Sequence, residues 1–186
     1  MLNNNIILAV VGLAGAGKTE AINYLMGRTG WEKVYFGAVT FEEMKRLGLE
    51  VNEANERAIR ESLRAEFGMS AYAVKNLPKI KGLAQQGGVL VESMYSWEEY
   101  EVLKGEFGDS FKVLEIYASP QTRINRLKNR PIRPYTTEEL LSRDKSQIEN
   151  LHQAGPIAVA DWTIINEGGQ KDLEDKLEGI LAGLKK

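Results

Sequence analysis

Residues 12 to 19 read Gly12-Leu13-Ala14-Gly15-Ala16-Gly17-Lys18-Thr19, which is the pattern G-x-x-x-x-G-K-T. Glycines at this spacing let successive backbone N–H groups turn toward one point, a path that Cβ atoms resist. Inward amides at the start of a helix hold a di- or triphosphate. Lys18 is placed for the β- and γ-phosphates, and the Thr19 hydroxyl for Mg²⁺. The expected nucleotide cradle comprises Gly12, Ala14, Gly15, Ala16, Gly17, Lys18 and Thr19, with Glu20 beside it. An apolar run, Ile6–Val11, precedes the motif, and the helix-like Ala21–Met26 follows, which is the context that the chemistry requires.

Two further groups suit phosphoryl chemistry. Glu92 closes the β-rich run Val89–Glu92, so it is expected beyond the carboxyl ends of the strands, where ligands gather in a parallel sheet. It could hold a magnesium-bound water or take a proton from an acceptor hydroxyl. The cations Arg123, Arg126, Lys128, Arg130, Arg133 and Arg143 form the second group. Arginine supplies fixed, multidentate positive charge over a migrating phosphoryl group. Arg123, Arg126 and Arg130 share a helical face, and the stiff Arg130–Pro134 connection could let this region close over nucleotide as a lid. The bland reading is a solvated basic face. Asn166-Glu167-Gly168-Gly169 after the last strand-like run could meet an adenine ring or be a plain turn.

Composition narrows the alternatives. The 186 residues fit one domain, 1–186, with its own core, and 24 Lys+Arg against 26 Asp+Glu leave a charge of −2. That balance disfavours nucleic acid as partner while allowing a local basic groove. There is no cysteine, which excludes thiolate zinc sites and a Cys nucleophile, and a single histidine, His152, excludes a multi-histidine metal site. No targeting segment is evident, and the apolar runs are far below the roughly 20 residues that span a bilayer. The expectation is a cytoplasmic protein with no membrane partner, a monomer or homodimer.

The elements that must position these groups alternate. Strands are expected at Ile6–Val11, Val34–Phe36, Val89–Glu92, Lys112–Tyr117 and Trp162–Ile165. Asn52 opens a helix in which Ala54, Ala58, Leu63 and Phe67 recur, while Ser96 with Glu99 and Thr136 with Glu139 read as capping boxes. Ser119-Pro120 puts a cap before proline at the first helical position. Alternation of this kind implies an α/β layered domain with a mainly parallel sheet. Thr40–Gln86 is helical without a strand and reads as an insert at one sheet edge. On its helix Arg57, Arg60 and Arg64 cluster, and Arg64 is the best placed to face a cleft.

The ordered motifs resemble the small nucleotide kinases, specifically an archaeal family related to adenylate kinase and dephospho-CoA kinase. The similarity spans nearly the whole chain, through VVGLAGAGKTEA, EEMKRLGLE, LRAEFGMSAYAVKNLPKI, LEIYASPQTRINRLKNR, SRD and ADWTIINEGG. The resemblance implies a three-layer P-loop NTPase fold with a five-stranded parallel sheet, a helical acceptor-binding insert at about 40–86 and a short lid at about 130–143. It implies ATP and Mg²⁺, with Lys18 and Thr19 on donor phosphates and metal, Arg130 and Arg143 as lid arginines, and Asn166–Gly168 by the adenine. Arg126 falls with the nucleotide-binding group.

Two departures bear on the acceptor. Relatives usually show G-D-x-x-R where this chain has Gly37-Ala38-Val39-Thr40-Phe41, and D-G-x-R where it has Glu92-Ser93-Met94-Tyr95. The two arginines missing here grip the acceptor's phosphate in those kinases. Either Arg57, Arg60, Arg64 or Lys75 replaces them, or the acceptor carries no phosphate there, and Phe41 and Tyr95 suit a planar or apolar group. The leading reading is ATP-dependent phosphoryl transfer to a small acceptor, a nucleoside monophosphate or nucleotide-like molecule. A nucleotide-binding or hydrolysing switch is the rival, with dephospho-CoA or a modified nucleoside as other acceptors.

Overall fold

The computed structural model describes residues 6–131 and 134–184. Arg133, one of the cations of the expected lid, lies outside them.

The elements in chain order are β1 (Ile7–Val11), α1 (Lys18–Thr29), β2 (Glu32–Tyr35), α2 (Ala38–Arg46), α3 (Glu53–Phe67), α4 (Ala71–Ala84) and β3 (Val89–Glu92). They continue with α5 (Trp97–Phe107), β4 (Phe111–Tyr117), α6 (Pro120–Lys128), α7 (Thr137–Glu149), α8 (Ala154–Ala158), β5 (Trp162–Ile165) and α9 (Gln170–Gly183). The five strands form one all-parallel sheet in the order β2-β3-β1-β4-β5. This is the α/β layered architecture that the alternating pattern predicts.

β1 is buried on both faces, and its pleat divides the core. Ile7, Ala9 and Val11 join the apolar cluster under α2–α5, whereas Leu8 and Val10 join the cluster under α1 and α9. Capping fixes where several helices begin. The Asn52 side chain accepts from the Asn55 N–H at 2.9 Å, Ser119 precedes Pro120, and both capping boxes are formed.

β1 and β4 start one residue away from expectation, and β2 and the inward face of α3 depart further. β2 runs Glu32–Tyr35 rather than Val34–Phe36, although the Phe36 N–H still donates to the Glu92 carbonyl at 3.0 Å. On α3 the inward face is Ile59 and Leu63 with Phe67 packed beside them, while Ala54 and Ala58 face solvent. Alanine spacing was a poor guide there because a methyl group gains little from burial compared with isoleucine or leucine.

Candidate functional site

The phosphate loop turns on glycines. Gly12, Gly15 and Gly17 have φ of 133°, 82° and 105°, so the chain turns through conformations that L side chains rarely adopt. Gly17 precedes α1 with no side chain capping the helix, which leaves its first N–H groups for an anion. Lys18 Nζ donates to the Leu13 carbonyl at 3.0 Å. The Lys18 pKa is lowered to about 8, mainly by burial and then by the positive charge of Arg143, with Glu92 opposing.

A cavity of about 480 Å³ opens on this loop. It is lined by Gly15, Gly17, Lys18, Thr19, Glu20, Arg126, Arg130, Asn166 and Gly168, so most of the expected nucleotide set meets there. Asn166 Nδ2 donates to the Ala16 carbonyl at 2.7 Å, and Arg126 donates to the Ala16 and Gly168 carbonyls at 3.4 and 3.1 Å. The loop after β5 is thereby stitched to the phosphate loop. Gly12, Ala14 and Ala16 do not line the cavity. A Cβ on Gly12 would sit 2.2 Å from the Ile116 carbonyl oxygen, so this glycine serves the packing of the loop on β4.

A larger cavity of about 1140 Å³ lies between the insert and α7. Phe41, Arg60, Arg64, Tyr95 and Arg143 line it, together with Tyr35, Tyr72, Glu99, Tyr135 and Gln147, which the sequence did not single out for it. Arg130 and Arg143 thus fall in different cavities rather than side by side over one nucleotide. Arg130 follows the end of α6 at Lys128 whereas Arg143 stands on α7, so the two guanidinium groups are carried by different elements.

The cations of the insert are sorted by their partners. Arg57 is paired with Glu61 at 2.8 Å, and Lys75 sits 4.1 Å from the Phe67 ring centroid; neither lines the cavity. Arg60 lines it but is held by Glu53 at 2.8 Å and Glu56 at 3.3 Å. Arg64 lies over the Tyr72 ring at 5.8 Å and forms no ion pair among the described residues. Arg143 stacks on Tyr135 at 5.5 Å and donates to its hydroxyl.

Carboxylates frame the same region. Glu92 lines neither cavity; it pairs with Lys33 Nζ at 2.7 Å, and its charge still acts on Lys18. Ser93, next in the chain, lines the larger cavity with φ of 67°, a left-handed conformation that glycine adopts more freely. Glu99 is buried, and burial pushes its carboxyl up to about 7 against the backbone N–H groups of Tyr95 and Ser96.

Three supports escaped sequence reasoning because their partners are remote in the chain. Arg123 makes a bidentate ion pair with Asp144 and donates to the Ala14 carbonyl at 3.2 Å, tying α6, α7 and the phosphate loop together. Gln153 Nε2 donates to the Gly12 carbonyl at 3.1 Å. Glu167 accepts from Ser119 and Thr122, fastening the loop after β5 to the start of α6. His152 pairs with Glu98 at 2.9 Å and belongs to neither cavity.

The donors present fit a hard cation held jointly with phosphates. Among the described residues no three His, Cys, Asp or Glu side chains gather as a metal cage. Mg²⁺ commonly takes only one or two protein oxygens and fills its shell with phosphates and water. Thr19 and Glu20 line the phosphate-loop cavity and offer such side-chain oxygens.

A family profile described as AAA domain matches residues 8–152. A UPF0200 protein of Aeropyrum pernix is 34% identical over 92% of this chain and 89% of its own length. The chain belongs to this P-loop family. Another UPF0200 relative is the UPF0200/UPF0201 protein of Archaeoglobus fulgidus, 32% identical over 97% of this chain. The chain spans only 56% of that relative's length. Among solved structures, a Thermus thermophilus protein matches with a TM-score of 0.69 at 22% identity, covering 98% of this chain and 99% of that one. Shikimate kinase from Bacteroides thetaiotaomicron matches with a TM-score of 0.58 at 15% identity over 97% and 99% of the two chains. At those identities the likeness is one of fold, and the fold of this UPF0200-family chain is that of the P-loop kinases. No helix among the described residues is long and apolar enough to cross a membrane.

Proposed function

We propose that the protein transfers the γ-phosphoryl group of ATP to a small acceptor, a nucleoside monophosphate or nucleotide-like molecule. The observation that carries this reading is the relation between Lys18 and Arg143. Lys18 lines the phosphate-loop cavity, Arg143 lines the larger one, and their charges act on one another. Two separate cavities, one lined by a lysine and the other by an arginine whose charges act on one another, suit a bisubstrate phosphoryl transfer. A simple nucleotide switch has no use for the second cavity.

In the proposed step an acceptor oxygen attacks the γ-phosphorus, the bond from that phosphorus to the β–γ bridging oxygen breaks, and ADP leaves. Lys18 and the α1 N-terminus would hold the donor phosphates, and Arg143 would meet charge that develops on the moving group. A hydroxyl acceptor would give up its proton as the new bond to phosphorus forms; Glu92, which lines neither cavity and is paired with Lys33 at 2.7 Å, would take it through a bridging water and become neutral. Mg²⁺, when bound, supplies charge neutralisation between the β- and γ-phosphates; Thr19 is the side chain that would hold it. Arg126 and Arg130 line the donor side.

ATP consumption with Mg²⁺ should rise well above the acceptor-free rate with one member of a panel of nucleosides, nucleoside monophosphates and dephospho-CoA. Lys18→Ala should remove that stimulated rate while leaving the circular dichroism unchanged. An unstimulated slow rate with every compound, alongside tight ATP binding, would point instead to a hydrolytic switch.

A further inference from the structure

The larger cavity contains an unmatched donor and acceptor. Glu99 is only 3% exposed yet lines this cavity. Its Oε2 accepts from the Tyr95 N–H at 2.7 Å and the Ser96 N–H at 3.0 Å, and its Oε1 accepts from none of the described residues. The fully buried, unpartnered side-chain oxygens among the described residues are those of Gln147 and Gln153, so Glu99 Oε1 keeps some contact with the cavity and can take a donor that a ligand brings.

Arg64 supplies the second half. It reaches the same cavity from α3, its guanidinium rests on Tyr72, and it forms no ion pair among the described residues. Its charge acts on Glu99, but the two do not close to ion-pair distance. A ligand group carrying an N–H donor beside a carbonyl or ring-nitrogen acceptor would satisfy both, donating to Glu99 and accepting from Arg64. A phosphate at this spot would meet Arg64 but also face the Glu99 carboxylate. The surrounding rings of Tyr35, Phe41 and Tyr95 favour a flat ligand over a sugar or an extended chain.

We infer that Glu99 and Arg64 read the donor–acceptor edge of a planar heterocyclic base, and that the acceptor's reacting oxygen lies toward Lys18 and Arg143. The assignment deepens the proposed function and rests on it for the placing of the reacting oxygen. The base-reading itself is a binding claim that stands or falls separately.

Calorimetric titration of the full chain with guanosine, inosine, uridine and adenosine tests it, with ribose and benzimidazole riboside as controls. Benzimidazole riboside keeps a flat ring but offers no donor–acceptor edge. At least one of the four nucleosides should bind tenfold or more tighter than either control. Glu99→Gln keeps an amide oxygen for the Tyr95 and Ser96 N–H groups and presents NH₂ where Oε1 stood. That variant, and separately Arg64→Met, should cut the preference over benzimidazole riboside by about tenfold to a hundredfold. Displaceable mant-ATP binding, with Lys18→Ala as its control, is measured in parallel. If mant-ATP binds and no nucleoside exceeds benzimidazole riboside, the base-reading assignment is overturned while the phosphate-loop reading survives. A preference unchanged in both variants overturns it equally. Nucleoside preference of the expected kind without mant-ATP binding supports the assignment and sinks the kinase reading.

Discussion

Arg123 and Asp144 are joined by two hydrogen bonds, Nη1–Oδ1 at 2.9 Å and Nη2–Oδ2 at 2.6 Å, with side chains only 4% and 12% exposed. The same guanidinium donates to the Ala118 and Ala14 carbonyls. Asp144 follows Arg143 in the chain, so one buried ion pair sets where the cavity-lining arginine stands relative to the phosphate loop.

Removing one partner should therefore cost more than a surface pair would. Asp144→Ala leaves Arg123 buried without its counter-charge, a loss of about 3–5 kcal/mol. Denaturant unfolding would read this as a lowered midpoint. The joint replacement Arg123→Met with Asp144→Leu should recover a large part of the stability but not the stimulated turnover, because α7 loses its fixed register on the loop. Recovery of both would show that the pair does not position Arg143.

Gly12→Ala separates packing from binding. Its Cβ would fall 2.2 Å from the Ile116 carbonyl oxygen in a left-handed conformation, and backbone on both sides resists movement. The expected outcome is a thermally destabilised protein, by roughly 3 kcal/mol or more, rather than a stable one that merely fails to bind nucleotide. A well-folded Gly12→Ala protein would contradict this packing role.

Nucleotide affinity should depend on pH through Lys18. Its pKa is about 8 in the free protein, lowered mainly by burial, and bound phosphates would raise it again. Binding then takes up a proton above pH 8, and affinity should be about tenfold weaker at pH 9 than at pH 7. Titrations in buffers of different ionisation heat would show the uptake, and Lys18→Ala should abolish it.

Glu99 predicts a stability effect of opposite position on the pH scale. Its carboxyl rises from 4.5 to about 7 on folding because of burial. The folded state holds the proton more tightly, so this group stabilises the fold below about pH 4.5 and that contribution is lost as pH rises through 7. Glu99→Gln carries no such loss. Its advantage in melting temperature over the parent should be larger at pH 8 than at pH 5, with about 3 kcal/mol as the upper limit. An equal difference at both values would place the Glu99 carboxyl near its ordinary range.

Much of this was written locally. The phosphate loop, five strands, two capping boxes and the Ser119-Pro120 start depend on neighbours within a few residues, where backbone preference and hydrophobic period act directly. The Phe41 and Tyr95 substitutions were legible for the same reason, since each follows a strand end whose place was fixed. Glu99 was legible only as a cap. The capping box explains one carboxylate oxygen, and nothing in the sequence tells where the other points.

Which cavity each cation serves was a matter for the tertiary structure. Arg57, Arg60 and Arg64 look alike along the chain, yet Glu61 takes the first, Glu53 and Glu56 hold the second, and the third is left over Tyr72. Arg130 and Arg143 read as one lid group but line different cavities. The sequence alone determined the α/β class and the phosphate-binding motif, because short-range periodicity and glycine geometry suffice for them. The tertiary structure decided the acceptor cavity and its free donor and acceptor, because long side chains choose partners by the distance between helices, which no local pattern encodes.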